Sequence, residues 1–459
     1  MATGASEWVG NAERFARPPA RMTGCRDFKG ARSLRILLLS WEFPPRIVGG
    51  LGKHVHRLST ALADAGHTVH VVTRDHPDAP PEEEIDGVHV VRVGEYPPVV
   101  PFEELIPWVM QFNVGVLERA TKILLEEEVD LVHAHDWLVA YAAAGVKNLF
   151  DLPLVSTIHA TEFGRHQGYL PGPMNKLIHQ IEWWLTYESR RTITCSHYMH
   201  EQIREIFGLP EAKLDVIPNG VDLETVGRPE GVEEFRRGRV GLAPGEKMIF
   251  FAGRLEYEKG VQTVLDALPL VLERVPVRFI VAGIGTHEDA LREHTRRDGL
   301  DAQVEFTGFV SDDDLRMYYA AADLAVVPSL YEPFGMVALE TMAAGTPCIA
   351  ADTGGLRELV VHDATGLRFS PGDPASLATA ILRLLTDSRL DRRLTLDARR
   401  WLNEGFSWES IASRTVDVYA RAIREERELR RTQRRDERPP LRAILRSSDL
   451  LGLASEPAG

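Results

Sequence analysis

Cysteine is scarce: the 459 residues contain three, Cys25, Cys195 and Cys348. An odd number set so far apart forms no disulfide framework, and there is no CxxC pair to suggest zinc. A reducing, cytoplasmic compartment is the expectation. Cys195 and Cys348 sit in apolar strand-like runs, where the role of small buried hydrophobe is expected. Long apolar runs are also missing. None approaches the about 18 residues of a membrane span, so no integral membrane segment is expected. Met1 to Ser33 lacks the apolar core of a signal peptide; it mixes Gly, Pro and Arg and reads as a disordered leader. Positive charge is in deficit, with 53 Lys and Arg against 67 Asp and Glu, a net −14. That excludes a general nucleic-acid or anionic-membrane binder, because both need a positive field. An anionic substrate would have to be held by few, local cations.

What remains is an ordinary globular composition, 44% hydrophobic and 26% charged. At roughly 150 residues per domain the length allows two to three domains. From Arg35 onward short β-branched runs alternate with amphipathic helical stretches. The first half offers runs starting at Arg35, Thr68, Val88, Asp130, Pro153 and Arg191, and the second half runs starting at Met248, Arg278, Val304, Leu324 and Pro347. Near-continuous apolar strands separated by helices indicate parallel sheets covered on both faces. Leu51, Val55, Leu58, Leu62 and Ala65 fall on one helical face, which Gly66 ends. The rhythm breaks at Asn219 to Leu242, which is polar and turn-rich. The expected class is α/β, with two doubly wound Rossmann-like domains at 34–222 and 223–405 and a cleft between them. Helices over 406–428 and a charged tail at 429–459 follow. Arg430, Arg431, Arg434 and Arg435 are expected on a solvated surface.

Four clusters carry chemistry. Gly49-Gly-Leu-Gly-Lys53 lies between a strand and a helix, where glycines let backbone amides approach an anion. It is not a P-loop, since Ile47 and His54 stand at two key positions. A tight turn explains the spacing equally well. Gly253-Arg254 to Lys259-Gly260 sets two cations in a loop after a strand, an arrangement suited to a diphosphate; ion pairs with Glu256 and Glu258 are the structural alternative. Glu332 and Glu340 stand eight apart around Pro333-Phe334-Gly335. A carboxylate can accept hydrogen bonds from vicinal sugar hydroxyls, although a helix-terminal charge and an exposed helix residue would fit the spacing too. His135-Asp136-Trp137 and His159 end two first-half strands. Trp suits stacking on a sugar ring and Asp suits its hydroxyls, whereas a lone histidine such as His159 is more often structural. Asp312-Asp-Asp314 after Ser311 reads as helix capping rather than a metal motif, and no metal site is expected.

Together these segments resemble retaining glycosyltransferases of the GT-B fold, family 4, close to the glycogen/starch synthases, from about Arg35 to about Phe406 and through the final helices to about Glu428. The most specific piece is Glu332-Pro-Phe-Gly-Met-Val-Ala-Leu-Glu340; Gly-Arg254 with Lys259-Gly, Thr353-Gly-Gly-Leu-Arg-Glu358 and His135-Asp-Trp137 follow the same pattern. The resemblance implies that Arg254 and Lys259 neutralise the donor diphosphate, helped by amides around Gly49 and Gly50. It implies that Glu340 holds the ribose, that Glu332 lies beside the donor sugar, and that the backbone near Phe334 and Gly335 holds its hydroxyls. His159 would contact the sugar near its anomeric side, and Asp136 and Trp137 would face the acceptor. The substrate would be a nucleotide sugar such as ADP-glucose or UDP-glucose, with no cofactor. Ile47 stands where glycogen synthases usually carry lysine, and Arg46 is the candidate substitute.

The expected activity is hexosyl transfer, of glucose, to a glucan or another sugar acceptor. A sucrose- or trehalose-type synthase and a mannosyltransferase are alternatives within the class. A sugar-nucleotide 2-epimerase and a silent nucleotide-sugar binder are alternatives outside it.

Overall fold

The computed structural model describes residues 33–94, 99–222 and 229–433. The expected leader up to residue 32, with Cys25, and the tail from residue 434, with Arg434 and Arg435, lie outside these described residues. Contacts divide the chain into two compact units, each α/β. Among the described residues, the N-terminal unit takes those of 33–195, His200–Ile217 and 408–433, and the C-terminal unit takes Ser196–Met199 and those of 218–407.

The N-terminal unit is built on an eight-stranded sheet. Its strands are β1 (Arg35–Leu39), β2 (Thr68–Arg74), β3 (Glu82–Ile85), β4 (Val88–Val93), β5 (Leu131–His135), β6 (Leu154–Ile158), β7 (Arg191–Thr194) and β8 (Leu214–Val216). The order is β3-β4-β2-β1-β5-β6-β7-β8, and all neighbours are parallel except β3 and β4. β3 is polar, Glu-Glu-Glu-Ile, and is an edge strand that the apolar-run criterion misses. Its hairpin closes on Asp86-Gly87, both at positive φ, as a two-residue turn requires.

The Gly50–Asp64 helix buries Leu51, Val55, Leu58 and Leu62. Each fully buried aliphatic side chain contributes about 1.5–3 kcal/mol. The long helix Trp408–Gln433 returns to this unit: Trp408, Ile411, Tyr419 and Ala422 join one core with Ile36, Leu38, Val55 and Leu58.

The C-terminal unit has a six-stranded, wholly parallel sheet of order β11-β10-β9-β12-β13-β14. The strands are β9 (Lys247–Ala252), β10 (Val277–Ala282), β11 (Val304–Gly308), β12 (Leu324–Val327), β13 (Cys348–Ala351) and β14 (Leu367–Phe369). Ser311 caps the Asp312–Ala321 helix by accepting from the Asp314 amide, so the acidic triplet serves a helix start. Cys195 and Cys348 are buried and are not joined in a disulfide.

In each sheet the strand order reverses beside the first strand, between β1 and β5 and between β9 and β12. At such points the loops leaving neighbouring strands run to opposite sides and open a crevice. Arg254 and Lys259 follow β9, Glu332 follows β12, and Asp136 follows β5.

Candidate active site

In the C-terminal unit the loop after β9 is pressed onto the end of β12. Gly260 has φ 72°, and a Cβ there would lie 2.0 Å from the Pro328 carbonyl oxygen. Only glycine accommodates both the dihedral and the approach. The loop thereby carries Lys259 to Glu332, with Nζ donating to Oε2 at 2.8 Å. Ser329 Oγ donates to the same oxygen at 3.2 Å. Both charged side chains are mostly covered, 21% and 14% exposed. The Glu332 carbonyl accepts from the Gly355 amide at 2.9 Å, which ties the Thr353–Glu358 segment to this site. Arg254 is half exposed and 3.9 Å from Glu258, a loose contact that leaves it available to an anion.

Phe334 is buried, and Gly335 opens the Met336–Ala343 helix. That helix positions Glu340, whose Oε2 accepts from the Tyr319 hydroxyl at 3.1 Å. Burial, then the Glu340 charge, push the Tyr319 pKa well above its ordinary value. The hydroxyl therefore stays protonated and orients the carboxylate. Arg254, Lys259, Glu332, Phe334, Gly335 and Glu340 all belong to this one unit.

The N-terminal unit brings together His159, Asp136 and a set of histidines. His135 Nδ1 and His159 Nε2 are 3.2 Å apart in a hydrogen bond, and the His54 ring packs edge-on against His159 at 4.8 Å. His133 bridges the Tyr419 hydroxyl and Thr157 Oγ1, at 2.7 and 2.8 Å. Burial lowers the pKa of His159 to about 3 and those of His133 and His135 well below the usual value. All three are neutral imidazoles at pH 7. Asp136, at φ 60°, accepts from the His159 amide at 2.8 Å. Burial raises its pKa to about 6 against that hydrogen bond and the Arg165 charge.

Three sequence expectations change here. Trp137 is 5% exposed and forms part of a short 3₁₀ turn. Its ring is buried rather than an open stacking face, as are Leu138, Val139 and Ala140 after it. The Gly49 amide, expected to meet a phosphate, instead donates to Glu42 Oε2 at 3.1 Å; Gly50 begins the helix behind it. Arg46, the candidate substitute cation, directs Nε and Nη2 to the Asp75 carbonyl oxygen at 3.0 and 2.9 Å. Its fork is already engaged.

Residues 48–225 match the family described as Glycosyltransferase Family 4, and residues 232–401 match Glycosyl transferases group 1. Glycogen synthase of Mycobacterium tuberculosis (strain ATCC 25618 / H37Rv) is 40% identical over 410 residues, covering 86% of this chain and 96% of that protein. The chain is a family 4 glycosyltransferase. D-inositol 3-phosphate glycosyltransferase of Xylanimonas cellulosilytica is 31% identical over 86% of this chain and 98% of its own. Among solved structures, sucrose-phosphate synthase of Thermosynechococcus elongatus superposes with a TM-score of 0.74 at 26% identity, over 85% of this chain and all of that one. The fold is GT-B, and the enzyme is a hexosyltransferase resembling the glycogen synthases.

For this glycosyltransferase, sequence reasoning missed Glu42, Ser329 and Tyr319. None stands in a motif, and each acts through a contact set by the fold. Among the described residues, two side-chain groups could offer three ligand atoms to a metal: His54, His135 and His159, and Asp266, His294 and Asp298. The His135–His159 hydrogen bond accounts for close approach in the first. In the second, His294 Nε2 lies 3.0 Å from Asp266 Oδ1 and 3.1 Å from Asp298 Oδ2. No helix among the described residues is long and apolar enough to cross a membrane.

Proposed function

We propose that this glycosyltransferase moves glucose from a nucleotide diphosphate sugar to a glucan or another sugar acceptor, with retention at the anomeric carbon, in the cytoplasm. The observation that carries the donor assignment is the Lys259–Glu332 pair at the β9/β12 switch point, with Arg254 beside it and Glu340 eight residues on. Arg254 and Lys259 are the positive groups for a diphosphate. The negative charge on the leaving group grows in the transition state, so fixed cations act most strongly there. With two cations supplied by the chain, we assign no metal and no cofactor to the reaction.

Glu340, oriented by Tyr319, suits the vicinal hydroxyls of a ribose. Glu332 and the backbone near Phe334 and Gly335 face the donor sugar. His159, held neutral by burial, offers a hydrogen bond without a charge that would oppose positive character at the anomeric carbon. Asp136 is assigned to the acceptor. No side chain is assigned as nucleophile: the departing phosphate takes the acceptor proton as the new glycosidic bond forms on the same face.

Glucose and a glucan acceptor are favoured by the 40% identity to a glycogen synthase. Sucrose- or trehalose-type synthesis and mannosyl transfer are the alternative readings, since relatives differ in acceptor. A screen of ADP-, UDP- and GDP-sugars against glucan, glucose, fructose and sugar phosphates, with the linkage assigned by NMR, tests the assignment. Glucosyl extension of a glucan with an α linkage supports it. Turnover with mannosyl donors only would replace it.

A further inference from the structure

The turn Val48–Gly52 already holds a carboxyl group, and it belongs to the chain. Glu42 is 4% exposed. Its Oε2 accepts from the Val48 amide at 2.8 Å and the Gly49 amide at 3.1 Å. The Gly52 amide hydrogen-bonds the same carboxylate. Successive amides converging on one carboxylate form the kind of nest that elsewhere receives a phosphate. Gly52 is what admits this side chain: a Cβ there would lie 3.2 Å from Glu42 Oε2 and 3.3 Å from Glu42 Cβ. The glycine that the motif offers to a ligand is thus used by an internal group. Ser40 secures the other end, donating from Oγ to the Glu42 carbonyl at 2.8 Å and accepting from the Glu42 amide at 3.3 Å.

We propose that Glu42 is the built-in occupant of the Val48–Gly52 turn, a positioning residue whose carboxyl group fixes the turn's shape and takes up the Val48 and Gly49 amides. This rests on the glycosyltransferase reading above. Burial above all, with the nearby Asp136 charge, raises the Glu42 pKa above its ordinary value against the hydrogen bonds from the amides. Such a buried carboxylate is retained for geometry rather than for stability.

The test compares wild type with Glu42→Ala and Glu42→Gln in the full chain, measuring release of nucleoside diphosphate. Glu42→Ala should lower kcat/KM for the donor by about tenfold to a hundredfold, the scale of a misplaced supporting group. Added formate, which fills the space of a carboxylate, should restore much of the loss. Glu42→Gln keeps an oxygen for the Val48 and Gly49 amides and should fall between the two. Amide hydrogen exchange of wild type supplies a readout that does not depend on the variants folding: the Val48 and Gly49 amides should be protected before donor is added and gain little on its addition. Three results would overturn the proposal. One is a formate-insensitive Glu42→Ala enzyme. Another is wild-type kinetics in both variants. The third is strong donor-induced protection at Val48 and Gly49. Absence of turnover in wild type would instead remove the reading on which the proposal rests.

Discussion

Replacing Lys259 by alanine should damage this enzyme twice, once in stability and once in catalysis. The Lys259–Glu332 contact is 2.8 Å, and the side chains are 21% and 14% exposed. At an effective dielectric of about 20, the gross attraction at that distance is roughly 6 kcal/mol. Desolvation offsets most of it. Exposed pairs contribute about 0.2–1 kcal/mol, and breaking a buried pair costs about 3–5 kcal/mol. Partial burial places Lys259→Ala between them, at about 1–3 kcal/mol, because Glu332 is left covered without its cation.

Glu332→Gln in the Lys259→Ala background removes that orphaned charge. The double variant should therefore be more stable than the sum of the single losses predicts, by about 1–2 kcal/mol. Urea denaturation of the four proteins reads this coupling. Catalysis is the second readout. Loss of a cation assigned to the leaving diphosphate should cost about 2–4 kcal/mol in transition-state stabilisation, by analogy with a lost oxyanion donor. Stability losses that simply add, within about 0.5 kcal/mol, would refute the pairing argument. Near-wild-type kcat/KM in Lys259→Ala would refute its catalytic assignment.

Glu340→Ala should mainly raise the donor KM, because the carboxylate held by Tyr319 is assigned to binding; an unchanged donor KM would contradict this. Glu182 is buried, accepts from the Glu162 amide with both oxygens, and has its pKa raised by burial to about 8. The native state then holds a proton that the unfolded chain has released, so stability falls as pH rises from about 4.5 to about 8 and is flat above. Glu182→Gln should be more stable relative to wild type at pH 8 than at pH 5, by about 1–3 kcal/mol; an equal difference at the two pH values would sink that argument. Turnover should survive dialysis against EDTA without added divalent cations, as expected if Arg254 and Lys259 provide the charge. Loss of activity restored by a metal would contradict it.

The central strands were legible because parallel strands buried on both faces read as near-continuous apolar runs, as in Arg35–Leu39 and Lys247–Ala252. β3 was not, since an exposed edge strand of glutamates carries no apolar signal. β8 and β14 are too short to show a pattern. Among candidate site residues, Glu332, Glu340, Arg254 and Lys259 could be singled out through the family resemblance rather than through spacing alone, and all four lie in one unit. Trp137 was misread, because an aromatic at a strand end has the same sequence signature whether it faces solvent or core. Glu42 and Arg46 were opaque for a different reason. Their partners are backbone atoms, the Val48 and Gly49 amides and the Asp75 carbonyl, which any residue supplies.

The most direct test of the account is release of nucleoside diphosphate from ADP-glucose or UDP-glucose, followed with and without a glucan acceptor. The account predicts acceptor-dependent release in step with glucosyl incorporation and retention of the α configuration, lost in Arg254→Ala and Lys259→Ala. Donor that binds without turnover under every acceptor, or product of inverted configuration, would contradict it.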